Sequence, residues 1–196
     1  MKKAEIAFQN KIVFDTKKYI ISTARHLFSK FSYLGVSMSD IAKKLNITKA
    51  ALYYHFKGKE DIYIKVLDEV FFDLSQITSE ALMETTIDQK LLKLIKNYLA
   101  FGCKEKNLIK AVMMKITPSD SQIKSHILYL REQLSDLIQP IIDELIMYKK
   151  STKKIDSKVL TSIVTGMMDG LLLEYSFVNK KLDSGSVANQ IVEFLF

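Results

Sequence analysis

Residues 37–62 read SMSDIAKKLNITKAALYYHFKGKEDI. Two short amphipathic segments lie here, each opened by a hydroxyl residue of the kind that caps helices. Ser37 precedes Met38–Leu45 and has Asp40 three positions on, a capping-box variant. The apolar face of that segment is Met38, Ile41, Ala42 and Leu45, spaced by three and four. Asn46, which tolerates the left-handed conformation, marks its end. Thr48 then caps a second segment, Lys49 to about His55. Its apolar stripe is Ile47, Leu52 and Phe56, and its outer face is Thr48, Lys49, Ala50, Ala51 and Tyr53.

The flanks complete a pattern. Upstream, Ile20, Ala24, Leu27, Phe28 and Phe31 recur at helical spacing, with Asp15 or Thr16 as the cap and Gly35 as the break. Residues 1–14 carry no start or stop signal and read as a basic arm or an extension of that helix. Downstream, Gly58 breaks the chain, and a long helix begins near Lys59 with Glu60 and Asp61 on its positive end, running to about Glu84. A helix followed by two short ones across a tight turn is the layout of a helix-turn-helix, whose second helix enters the major groove. Small Ala50 and Ala51 permit close approach to base edges, an alanine methyl can meet a thymine methyl, and free N–H groups at Ser37 and Thr48 suit phosphate oxygens.

Charge points the same way. The chain has 196 residues and a net charge of +7. Residues 1–60 hold 12 Lys+Arg against 4 Asp+Glu, while residues 61–196 hold 17 against 18. A basic module for a polyanion joined to a neutral one with another task fits this split; a solvated lysine-rich surface is the plainer reading.

The run from Ser37 to Ile62 resembles the DNA-binding segment of the TetR family of bacterial transcription regulators. Ile41-Ala42, Ile47-Thr48, Leu52-Tyr53-Tyr54-His55-Phe56 and Lys59-Glu60 fall in register, and Leu27-Phe28, Tyr33 and Gly35 match upstream. The similarity covers about residues 16–67. Ser32 and Asn46 stand where the family favours glycine, and Ala50 replaces a frequent glycine at the start of the recognition helix. The resemblance implies that Ser37 and Met38 meet the phosphate backbone, that Thr48, Lys49, Ala50 and Ala51 lie over the groove, that Tyr53, Tyr54 and His55 reach phosphates or bases, and that Lys59 grips a phosphate. Tyr54 and Met38 also read as core residues, and His55 as a helix-end group complementing the dipole.

The fold class is all-α, with about nine helices; the resemblance implies a helix-turn-helix domain over 1–60 and a larger effector-binding and dimerisation domain over 61–196, joined by the helix starting near 59. Further helices are expected over about 87–103, 108–116, 120–148 and 156–179 and up to Phe196, with Pro140 kinking or splitting its helix and Lys149–Lys154 a loop. The helix from Asp156 carries two apolar stripes. One is Val159, Ile163, Gly166, Gly170, Leu173 and Phe177; the other is Leu160, Val164, Met167, Leu171, Tyr175 and Val178. A helix apolar on that much of its surface is buried on more than one side. With Ile191 and Leu195 of the last helix, the first stripe predicts a four-helix homodimer interface, as the resemblance also implies; the alternative is a core within one chain.

The resemblance further implies a small-effector pocket among the middle helices, for an apolar or amphipathic molecule. Phe71, Tyr98, Phe101, Met113, Met114 and Tyr129 are its candidates, with Asp169 and Glu174 the acids most apt to face inward; ordinary core is the competing reading for each.

Other classes find little support. There is no GxSxG, P-loop, GxGxxG or HExxH motif, so no enzyme and no catalytic residues are expected. One cysteine, Cys103, and three histidines offer no metal site, disulfide framework or cofactor site. Cys103 reads as a small core residue or an oxidant sensor. The basic start is interrupted by Glu5, Gln9, Asn10 and Lys11, and no apolar run suits a membrane span, so a soluble cytoplasmic protein is expected. The reading is a ligand-responsive repressor released from a palindromic DNA operator. Its alternative is a non-enzymatic helical binding protein that uses its basic face on an acidic partner or membrane.

Overall fold

The computed structural model describes residues 2–113, 121–149, 156–178 and 181–196, the side chains of 2–15, 110–113 and 178 excepted. Nine helices and no strand occur among them: α1 Lys2–Phe31, α2 Met38–Leu45, α3 Lys49–His55, α4 Lys59–Leu82, α5 Ile87–Lys104, α6 Lys106–Met113, α7 Ser121–Lys149, α8 Ser157–Val178 and α9 Ser184–Leu195. The basic start is thus part of α1. α6 begins two residues before its expected start. Ile116, Pro118, Asn179 and the expected loop residues 150–154 lie outside the described residues.

Local chemistry sets the ends of the motif helices. Ser37 and Asp40 form a reciprocal capping box: Ser37 Oγ accepts from Asp40 N–H at 3.2 Å, and Asp40 Oδ2 accepts from Ser37 N–H at 2.8 Å and from its hydroxyl at 2.6 Å. These bonds to Ser37 hold the Asp40 carboxyl below its ordinary range. At the other end Asn46 adopts φ 55, its N–H reaches Lys43 O, and Ile47 N–H reaches Ala42 O at 3.0 Å. That is a Schellman closure with asparagine in the left-handed position. Ser32, the other residue standing where the family favours glycine, has φ 64. Both positions therefore keep the backbone that glycine would supply. We expect Asn46→Ala to cost about 1 kcal/mol in chemical denaturation and Asn46→Gly to cost nothing measurable. Equal losses would show that Asn46 acts through its side chain rather than its backbone. Gly35 has a different reason: a Cβ there would sit 2.2 Å from the Phe31 carbonyl oxygen.

Pro140 does not split α7. It lies inside an unbroken helix whose Ile138, Ile141, Ile142 and Leu145 are buried. Packing on both sides of the proline outweighs the one backbone bond that its ring removes.

α4 ties the two halves together, packing on α1 at one end and on α5 and α7 along its length. At the α1 end, Tyr63 meets Phe28 edge-on at 5.1 Å and Tyr33 at 4.6 Å. Arg25 of α1 reaches across to Asp73 at 2.6 Å and Glu105 at 2.9 Å, with Glu69 at 3.9 Å. Asn107 at the start of α6 donates to the Ser29 and Lys30 carbonyls at 2.6 and 3.1 Å, closing the last turn of α1. The first three helices therefore rest on α4, on the α5–α6 corner and on the first turn of α6.

Candidate nucleic-acid interface

Thr48 opens α3 by accepting from Ala51 N–H at 3.1 Å, and Leu52 and Phe56 anchor the helix in the core. That anchoring fixes what faces out. Lys49, Ala50 and Ala51 are exposed, Tyr53 is 52% exposed and Tyr54 79%. Tyr54 is thus on the surface, not in the core. His55 is half-buried and edge-on to Tyr54 at 5.1 Å, and its Nδ1 is buried with no partner among the described residues. Met38 packs partly against the core beside the exposed Ser37. Lys59 is engaged internally. Its Nζ donates to the Tyr33 carbonyl at 3.0 Å and lies 4.1 Å from the Tyr33 ring centroid, and burial pulls its pKa below the ordinary lysine value. An ammonium has three donors, so this clamp leaves capacity for a phosphate while fixing where the group sits.

The expected effector residues separate. Phe71 and Tyr98 line a narrow apolar slot between α4 and α7, floored by Leu67, Val70 and Leu74, with Ile109 at one end. The slot holds about 50 Å³, far below a ligand-sized pocket. Asp169 is buried but satisfied: Tyr98 donates to it at 2.6 Å and Arg131 at 2.9 Å. Burial, then the nearby Asp169, push the Tyr98 phenol well above its usual pKa. The structure places three candidates elsewhere. Phe101 lies below Arg25, whose guanidinium carbon is 5.9 Å from the ring centroid. Tyr129 points outward beside His126, because α7 buries Ile127 instead, and Glu174 is exposed. Met114 lies outside the described residues, and of Met113 only the backbone, at the end of α6, is described. Arg131 was not anticipated, nor were Arg25 and Asn107. The signal was available for the arginines: the chain has two, and every other fixed cation is lysine.

α8 divides as its two stripes require. Val164, Met168 and Leu172 face the core, one position off the expected Met167 and Leu171. Val159, Ile163, Gly166, Gly170 and Phe177 are exposed, and Leu173 is half-exposed. Of the last-helix candidates, Leu195 is half-exposed, while Ile191 is buried within the chain because α9 packs on α5. Cys103 is exposed, but partial burial raises its thiol pKa, which opposes a ready thiolate. Among the described residues no His/Cys/Asp/Glu group could hold a metal, and no helix is long and apolar enough to cross a membrane.

Comparison with known proteins agrees with this layout. The profile of bacterial regulatory proteins of the tetR family matches residues 20–66. The biofilm operon icaADBC HTH-type negative transcriptional regulator IcaR of Staphylococcus epidermidis is 30% identical over 171 residues, covering 84% of this chain and 86% of that protein. This chain belongs to the TetR family. The fatty acid metabolism regulator protein of Bacillus subtilis is 22% identical, with 90% of this chain and 91% of that one covered. Among solved structures, the fatty acid degradation regulator FadR of Bacillus halodurans superposes with a TM-score of 0.78 at 18% identity, covering 91% of this chain and 93% of that one. FadR of Bacillus subtilis in complex with stearoyl-CoA gives 0.76 at 20%, covering 90% and 95%. As a TetR-family member the protein is a DNA-binding transcriptional regulator.

Proposed function

We propose that the protein is a homodimeric repressor that leaves a palindromic operator when an amphipathic effector with a long apolar chain binds. Residues 1–60 form the reading head and 61–196 the effector and dimerisation half. The carrying observation is the outer face of α3: Lys49, Ala50, Ala51, Tyr53 and Tyr54 are exposed around a helix whose opposite side is locked in the core. Two such helices would enter successive major grooves with centres about 34–36 Å apart. With Ser37, Met38, Thr48, His55 and Lys59 at their flanks, six phosphate contacts per dimer give a salt dependence with a log–log slope near −5.

The effector class rests on the slot, on relatives named for fatty acid metabolism and fatty acid degradation, and on a solved neighbour that holds stearoyl-CoA. A chain of many methylenes cannot fit about 50 Å³, so it must part α4 from α7. Moving α4 displaces Lys59 and Tyr63 from the reading head, and packed interfaces respond to such displacement by switching between discrete states. Footprinting the DNA upstream of its own gene, then titrating stearoyl-CoA, tests both parts. Affinity for the protected site should fall ~5–150-fold, the range of an ordinary allosteric coupling. If stearoyl-CoA binds while operator affinity stays put, the effector half of the reading is wrong.

A further inference from the structure

The slot is smaller than a second opening in the effector half of the fold. A cavity of about 400 Å³ opens between α5, α6, α8 and α9. That is within the range of small-molecule sites, and none of the candidate effector residues lines it. Its apolar base is Ile109, Leu172 and Leu182. Gly102 permits this base, since a Cβ there would meet Leu172 Cδ1 at 2.2 Å. Lys106 and Lys181 flank the opening, and no acidic side chain is in the wall. Neither ammonium has an ion-pair partner among the described residues. Two lysines facing one cavity repel. A single anionic occupant relieves that repulsion.

We propose that this cavity is a second ligand site, for a small amphipathic anion whose phosphate or carboxylate lies between Lys106 and Lys181 and whose short apolar tail rests on Ile109, Leu172 and Leu182. Its geometry also gives it a route to the reading head. Lys106 lies between Glu105, which holds Arg25, and Asn107, which closes α1. The site does not depend on how α3 or the slot is used.

Cys103, the only cysteine of the chain, is in the wall and serves as the reporter. In the full-length protein, alkylation of Cys103 by iodoacetamide is followed with and without decyl phosphate, with decanol as the uncharged control. At ten times its Kd, decyl phosphate should slow the reaction about tenfold, in proportion to the free fraction of the site. Decanol at the same concentration should not. Lys106→Ala/Lys181→Ala should need about tenfold or more additional decyl phosphate for the same protection. Lys106→Arg/Lys181→Arg should retain it, with thermal midpoints shown to be unchanged. No protection in the natural protein, equal protection by decanol, or undiminished protection in the alanine variant would each overturn the proposal.

Discussion

Ala51→Glu is expected to abolish specific operator binding while leaving the fold as stable as before or slightly more so. Ala51 is the third residue of α3, and its N–H is already held by Thr48 Oγ1. A glutamate there completes a capping box with Thr48 and places a negative charge at the positive end of the helix. Its side chain starts from an exposed position, so nothing in the core moves. On the proposed reading, the same change puts a carboxylate where a methyl would meet base edges, close to phosphates. A lost base contact is worth about 1–3 kcal/mol per half-site, so two half-sites give roughly 30- to 2 × 10⁴-fold. Fluorescence anisotropy on the footprinted operator at fixed salt, beside a thermal melt, measures both sides. Retained sequence discrimination in a stable Ala51→Glu protein means that α3 does not read DNA. A drop shared equally by every duplex and by heparin favours the rival in which the basic face simply meets a polyanion.

The reading head was legible because its signals are local. Ser37, Asp40, Asn46 and Thr48 act on backbone within a few residues of themselves, so their roles could be read from spacing, and each helix end falls where they put it. Single-helix periodicity placed α4, α5 and α8 within a residue or two for the same reason. What escaped was set by neighbours far along the chain. Tyr129 and Phe101 have the composition of pocket residues, but whether an aromatic faces a cavity depends on how α7 and α5 rotate against the rest. α7 turns Ile127 inward and Tyr129 out. The unbroken α7 likewise reflects the packing of Ile141 and Ile142 rather than the local cost of Pro140. Ile191 reads as outward from the sequence because the apolar face of α9 is visible there and its intrachain receiver, α5, is not.

The two arginines show what such long-range readings could use. In a chain whose other fixed cations are lysines, Arg25 gathers Asp73 and Glu105, 48 and 80 residues away, and Arg131 reaches Asp169, 38 residues away. A guanidinium offers five donors in a rigid plane, which suits holding carboxylates from different helices; a lysine is a flexible point charge. Arg25 joins the reading head to α4 and to the α5–α6 corner. Arg131 with Tyr98 and Asp169 joins α7, α5 and α8 at the wall of the slot. Together they lie at either end of the path that a displacement of α4 would follow, whereas the lysines of α2 and α3 remain free for solvent and phosphate.

Ile163→Glu is expected to turn the protein into a monomer of 22.5 kDa and to weaken operator binding about 10²–10⁴-fold. The argument begins with the glycines of α8. Each interior glycine costs a helix about 1 kcal/mol relative to alanine, and a Cβ built at Gly166 or Gly170 meets nothing within 4 Å. No contact among the described residues demands them, in contrast to Gly35 and Gly102. Val159, Ile163 and Phe177 on the same face are each more than half exposed. A row of apolar side chains flanking two glycines is suited to close approach of a second helix, and a two-fold pair of α8 helices would bring this face against itself. Glutamates at Ile163 would then meet across the axis, desolvated and of like charge. In one chain the position is exposed, so helix content should be unchanged, while the concentration dependence of the melting temperature expected of a dimer should vanish. The operator loss follows because two tethered half-site contacts become two independent ones. Sedimentation velocity decides the first part and anisotropy the second. An Ile163→Glu protein that still sediments as a dimer moves the interface off this face. One that is monomeric yet binds the operator unchanged removes the need for a paired reading head.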